Sequence, residues 1–183
     1  MNKTLTALLA LAPVAAFAHP GHGENGLAAG LLHPLMGGDH LLAMLAVGML
    51  AMAGKTQAGW RLPLAFVAAM VTGAMAGMAG VDLPAVEPMI LASLVVLGGL
   101  LAVNMAGAGL GLVLLCALFG LFHGNAHGLE APASGSAMIF MVGMMLATGL
   151  LHAAGWLAAR YLHEALLRVF GLAVAGAGLL AAM

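Results

Sequence analysis

Six side chains able to bind a metal ion fall into two short runs of an otherwise apolar chain. His33, Asp39 and His40 lie in His33-Pro34-Leu35-Met36-Gly37-Gly38-Asp39-His40. His123, His127 and Glu130 lie in Phe122-His123-Gly124-Asn125-Ala126-His127-Gly128-Leu129-Glu130. Imidazole and carboxylate together form a ligand set for a transition-metal ion. Both runs adjoin stretches that read as lipid-buried helix. An ionisable group there costs roughly 2.5–3.5 kcal/mol to insert, and it persists where it pairs, faces water or handles an ion.

Spacing says how the six could meet. His123 and His127 are i and i+4, so a helix presents both rings on one face. His33 and His40 are i and i+7, about 10 Å apart along a regular axis, and Asp39 points about 100° away from His40. A local break is needed to aim all three at one point. Pro34 removes a helix donor and Gly37-Gly38 tolerates unusual backbone angles, so this segment can supply it. Unwound backbone at membrane depth is allowed where it lines a cavity. Gly124 and Gly128, on either side of the second histidine pair, allow another helix to approach closely.

The elements that carry these residues are membrane helices. Of 183 residues 64% are hydrophobic and only 6% charged, which leaves too little polar surface for a soluble globule. The chain is expected to be all-α and polytopic. Its 27 glycines suit close helix packing in lipid. The single cysteine, Cys116, excludes a disulfide framework and a thiolate cage, and the near-neutral charge leaves no basic patch for nucleic acid.

Residues 1–18 read as a cleavable signal peptide: Lys3 supplies the positive start, Leu5 to Val14 the short apolar core, and Ala16-Phe17-Ala18 the cleavage site. Residues 19–30 then form a short histidine-containing exterior segment, in which His19 and His22 could capture a divalent ion with the new amine. Pro20 denies them a deprotonated amide ligand. Residues 31–183 hold six apolar segments, at 31–53, 62–80, 88–104, 109–128, 136–158 and 165–182. Each approaches the ~17–25 residues that span a bilayer.

Basic residues orient them. Lys55 and Arg61 lie in the first connector and Arg160 and Arg168 in the fifth, so these odd-numbered connectors face the cytoplasm. Asp82, Glu87, Glu130 and both mature termini then lie outside, and a cleaved leader independently requires an exterior N-terminus. Both motifs fall in the outer half of the bilayer, with Asp39 and His40 about 20 Å above the inner face.

At these residues the chain resembles the HupE/UreJ family of nickel permeases, with HPLMGGDH fitting His-x5-Asp-His and FHGNAHGLE fitting Phe-His-Gly-x-Ala-His-Gly-x-Glu. The resemblance covers the whole chain. It implies import of nickel, or of cobalt as in some relatives, across the bacterial inner membrane. It also implies a link to hydrogenase, urease or cobalamin maturation, with no resident cofactor and no enzymatic activity. It assigns the functional role to His33, Asp39, His40, His123, His127 and Glu130.

The remaining polar residues read more plainly. His152, far in sequence from either motif, reads as structural, and Asn125 as a helix–helix hydrogen bond, with ligation through its side-chain carbonyl oxygen as the alternative. His163 reads as solvated, with receipt of the ion on exit as an alternative. Met36, Met44 and the other methionines read as packing, and Asp82 and Glu87 as an acidic mouth. Rival functions are a haem-binding membrane protein, an intramembrane metalloenzyme and a metal-binding accessory protein without transport. The acidic partners and glycine-rich surroundings fit an ion better than haem, and no substrate cleft is visible. No nucleotide-binding motif occurs, so transport would draw on membrane potential, a coupled ion or trapping.

Overall fold

The computed structural model describes residues 26–105, 107–132 and 137–183; the expected signal peptide and His19 and His22 lie outside these. Among the described residues all regular structure is helical: α1 (Leu27–Met36), α2 (Gly38–Ala53), α3 (Arg61–Met78), α4 (Val86–Ala102), α5 (Leu110–Glu130), α6 (Ala137–Tyr161) and α7 (Glu164–Ala181). The helices α3, α5, α6 and α7 are long and apolar enough to cross a membrane, and α1 with α2 makes a fifth segment if the pair is one broken span. The helix α4 is apolar but shorter, at 17 residues. A rise of 1.5 Å per residue gives it about 26 Å, close to the hydrocarbon thickness.

The first apolar segment is not one helix. It turns through 86° between α1 and α2. Gly37 sits at the corner in extended conformation, and its carbonyl accepts the first helical bond of α2 from the Leu41 N–H at 2.9 Å. Asp39, in the first turn, accepts the His40 N–H at 2.8 Å. This satisfies one of the donors that every helix start leaves orphaned, and it puts a carboxylate at the positive end of the helix dipole. Pro34 lies inside α1, where it supplies no N–H to the ladder. The corner that the spacing called for therefore exists, and it is sharper than a kinked span.

Glycines set how the helices pair. A Cβ on Gly120, Gly124 or Gly128 of α5 would collide with the carbonyls of Phe66, Met70 and Ala74 of α3 respectively. The contacts advance in step, four residues on each helix, so α3 and α5 run parallel with backbones touching. Gly98 and Gly171 meet between α4 and α7, and Gly178 meets Leu91, so that pair is antiparallel. Gly48 of α2 packs on the His152 carbonyl of α6, and Gly30 of α1 on that of Phe140. The long helix α6 thus backs both arms of the broken segment. Met44, Leu50, Phe66, Met70, Leu97 and Phe119 fill the core among these helices, the role anticipated for Met44. At one end, Lys55 of the first connector pairs with Glu164 after the fifth at 3.2 Å. The two basic connectors therefore share one end of the bundle.

Candidate metal centre

The corner at Gly37 brings the two motifs together. The ring of His40, at the head of α2, lies 4.9 Å from that of His123 and 4.3 Å from that of His127, centroid to centroid, both on α5. From the other side of the corner, α1 presents His33, whose ring centroid is 4.9 Å from that of His127. Its Nε2 is 3.1 Å from His127 Nδ1 and 3.1 Å from Glu130 Oε2, while His127 Nδ1 and Glu130 Oε2 are 3.5 Å apart. All six motif residues therefore form one continuous cluster. Without the break, His33 and His40 would stand a full ~10 Å apart on one rod.

The cluster has a wet end and a dry end. The Glu130, Asp39 and His33 side chains are 48%, 31% and 25% exposed and His40 is 14% exposed, whereas His127 and His123 are 1% and 0% exposed. Ligand atoms of His33, His127 and Glu130 all lie within 4.8 Å of one another, a grouping that can hold a metal ion. Nitrogen and oxygen donors of this kind suit a borderline divalent ion.

Tautomers can be read for the inner rings. The Phe119 carbonyl can only accept, so His123 Nδ1 donates to it, at 2.9 Å. The Asp39 carboxylate likewise accepts from His40 Nδ1 at 2.8 Å. In both rings the proton is on Nδ1 and the lone pair on Nε2. The Nε2 atoms of His40, His123 and His127 are buried and have no hydrogen-bond partner among the described residues. Three imidazoles, each held through Nδ1 with a buried and unmet Nε2, have the layout of metal ligands oriented from behind. Asp39, expected as a ligand, uses its Oδ1 to hold His40 by ring and backbone together.

Asn125 makes the expected helix–helix hydrogen bond only at the limit of reach, its Nδ2 donating to the Gly73 carbonyl of α3 at 3.5 Å, and bonds more closely to a connector. Its Oδ1 accepts from the Leu83 N–H at 3.0 Å and its Nδ2 donates to the Val81 carbonyl at 2.8 Å. It ties the connector bearing Asp82 onto α5 between the two motif histidines. Asp82 and Glu87 are exposed, as an acidic mouth requires. His163 is exposed, and its Nδ1 accepts the Ala165 N–H at 3.3 Å at the start of α7. Phe66 was not singled out. Its ring centroid lies 5.3 Å from that of His123, and an aromatic residue on an apolar helix carries no signature of such a position.

The family model for the HupE / UreJ protein matches residues 6–181, nearly the whole chain. The chain belongs to the HupE/UreJ family. Protein HupE of Rhizobium leguminosarum bv. viciae is 39% identical over 155 residues, which is 84% of this chain and 81% of that protein. No solved structure matches the chain. The HupE/UreJ family is associated with nickel and cobalt transport and with nickel handling for hydrogenase and urease, and its members are membrane permeases or accessory proteins and not known enzymes. The two motifs that carry the resemblance are the two runs that the corner at Gly37 joins.

Proposed function

We infer that this chain is an inner-membrane permease that imports a divalent transition-metal ion, nickel first and cobalt as its nearest alternative, and that the six clustered residues are its ion path. The observation that carries the reading is the set of three buried imidazole Nε2 atoms, on His40, His123 and His127, left without partners while each Nδ1 is engaged. Neutral imidazoles bind borderline ions. Magnesium and calcium call for all-oxygen cages and are disfavoured.

The steps run from the most exposed pair, Glu130 and His33, to the fully buried His123. A hydrated ion sheds water to Glu130 and His33 at the mouth, is taken up by His127, and passes to His40 and His123. His127 faces His33 through Nδ1 and has its own Nε2 unmet, so moving its one ring proton from Nε2 to Nδ1 turns its lone pair from the outer level to the inner one. Asp39 keeps His40 in the required tautomer and offsets part of the ion's charge. With the basic connectors on the cytoplasmic side, the mouth and both mature termini are periplasmic. Parallel α3 and α5 require α4 to return the chain between them, and antiparallel α4 and α7 continue the alternation, which supports six traverses. A potential negative inside favours inward movement of a dication.

Uptake of radioactive Ni2+ or Co2+ into proteoliposomes tests the reading. Wild-type protein should accumulate the ion and His123→Ala should not. Binding without accumulation by wild-type protein would make it an accessory protein instead.

A further inference from the structure

Below the cluster lies one more histidine, which neither motif contains. His152 on α6 is 4% exposed, and neither of its ring nitrogens has a hydrogen-bond partner among the described residues. A structural histidine is expected to bond to a neighbouring helix; this one does not. A neutral imidazole has one N–H and one lone pair, and leaving both unmet in an apolar interior is costly.

Its place is defined by Phe66. The Phe66 ring centroid lies 5.3 Å from that of His152, edge-on at 86°, and 5.3 Å from that of His123. One phenyl ring therefore packs against both His152 and a motif imidazole. Helix register gives the depth. Phe66 faces His152 and Met70 faces Thr148, so α3 and α6 are antiparallel. Phe66 also packs against Gly120, while His123 is nearly a turn farther along α5 toward the mouth. The backbone of His152 is thus about one turn, or ~5 Å, deeper than that of His123. One turn before it on the same face of α6, Thr148 is fully buried, with its hydroxyl 4.0 Å from Met70 Sδ.

We propose that His152 is a second, inner binding position for the transported ion, filled after the ion leaves His123 and passes the Phe66 ring. The inference rests on the permease reading. A lone imidazole with a hydroxyl and a thioether nearby offers neutral, partly soft donors to a borderline ion. Such a position is weaker than the outer cluster, as onward release requires, since a site on a conduction path must also let go.

The test uses the full chain, with Co2+ alone as probe. Purified protein is titrated with Co2+ by visible absorption, and the same protein is assayed for uptake in proteoliposomes. His152→Leu fills similar space without a ligand, and His152→Gln keeps a polar group if the leucine does not fold. The variant should keep Co2+ affinity at the outer cluster within roughly two-fold, bind one ion fewer, and lose uptake by roughly ten-fold or more. Uptake within about two-fold of wild type overturns the proposal. So does loss of outer-cluster binding together with uptake, because His152 would then act by packing alone. Failure of the permease reading shows separately: wild-type protein binds Co2+ but does not accumulate it, and the inner position falls with it as a transport step.

Discussion

The tautomer of each imidazole decides what it can hold, and two small contacts set those tautomers. The Phe119 carbonyl fixes His123 and the Asp39 carboxylate fixes His40. His40→Ala and His123→Ala each remove a donor that nothing nearby replaces, and each should abolish most uptake in proteoliposomes while protein stays in the membrane. The double variant should be little worse than either single one, since residues acting as a unit are not additive. Asp39→Asn keeps a hydrogen-bond acceptor but loses the charge, so apparent affinity should fall by about 10–100-fold, the usual cost of disturbing a ligand's support. Complete loss of Co2+ binding in Asp39→Asn would instead make Asp39 a direct ligand. His33→Ala and Glu130→Ala, at the exposed end, should raise the metal concentration needed for half-maximal uptake and be partly rescued by excess metal. The ligand types were legible in the sequence. The orientation of Asp39 and the position of Phe66 were not, because neither a ring's tautomer nor a packing neighbour leaves a pattern in residue spacing.

Among the helices, the stiffest joint is α3 on α5. Gly124 lies against the Met70 carbonyl with no room for a methyl group, whereas Gly149 on α6 has open space around its Cα. Gly124→Ala should therefore destabilise the protein by about 1–3 kcal/mol, the common cost of overpacking. Gly149→Ala should be neutral or stabilising by up to about 1 kcal/mol, since alanine favours helix. Thermal unfolding of purified protein in detergent compares them, and equal melting temperatures would deny the close approach. Most elements were legible from apolar length alone: the segments at 62–80, 88–104, 109–128, 136–158 and 165–182 match α3 to α7 within a few residues. Pro34 and Gly37-Gly38 marked where the first segment could break. They did not give the 86° angle, which depends on α1 and α2 both packing against α6. His152 looked isolated because its neighbour Phe66 is remote in sequence, and only the pairing of α3 with α6 reveals the contact.

For the whole molecule, the Lys55–Glu164 pair joins the two basic connectors, so their common face should be the cytoplasmic one. Reporter fusions near Thr56 should be active inside, and fusions after Met183 outside. A cytoplasmic C-terminus would require an odd number of traverses and overturn the alternation. If the leader is removed, protein recovered from membranes should begin at His19, as N-terminal sequencing would show. The glycine contacts between α3 and α5 also bear on how such a protein could move. Backbone meets backbone at Gly120, Gly124 and Gly128, so the two helices share one closely packed wall that leaves no room for side chains between them. His123 and His127 ride on that wall and keep a fixed separation. His33 and His40 sit on opposite arms of the bend at Gly37, so in the proposed permease the spacing of those two rings is set by the angle of that bend.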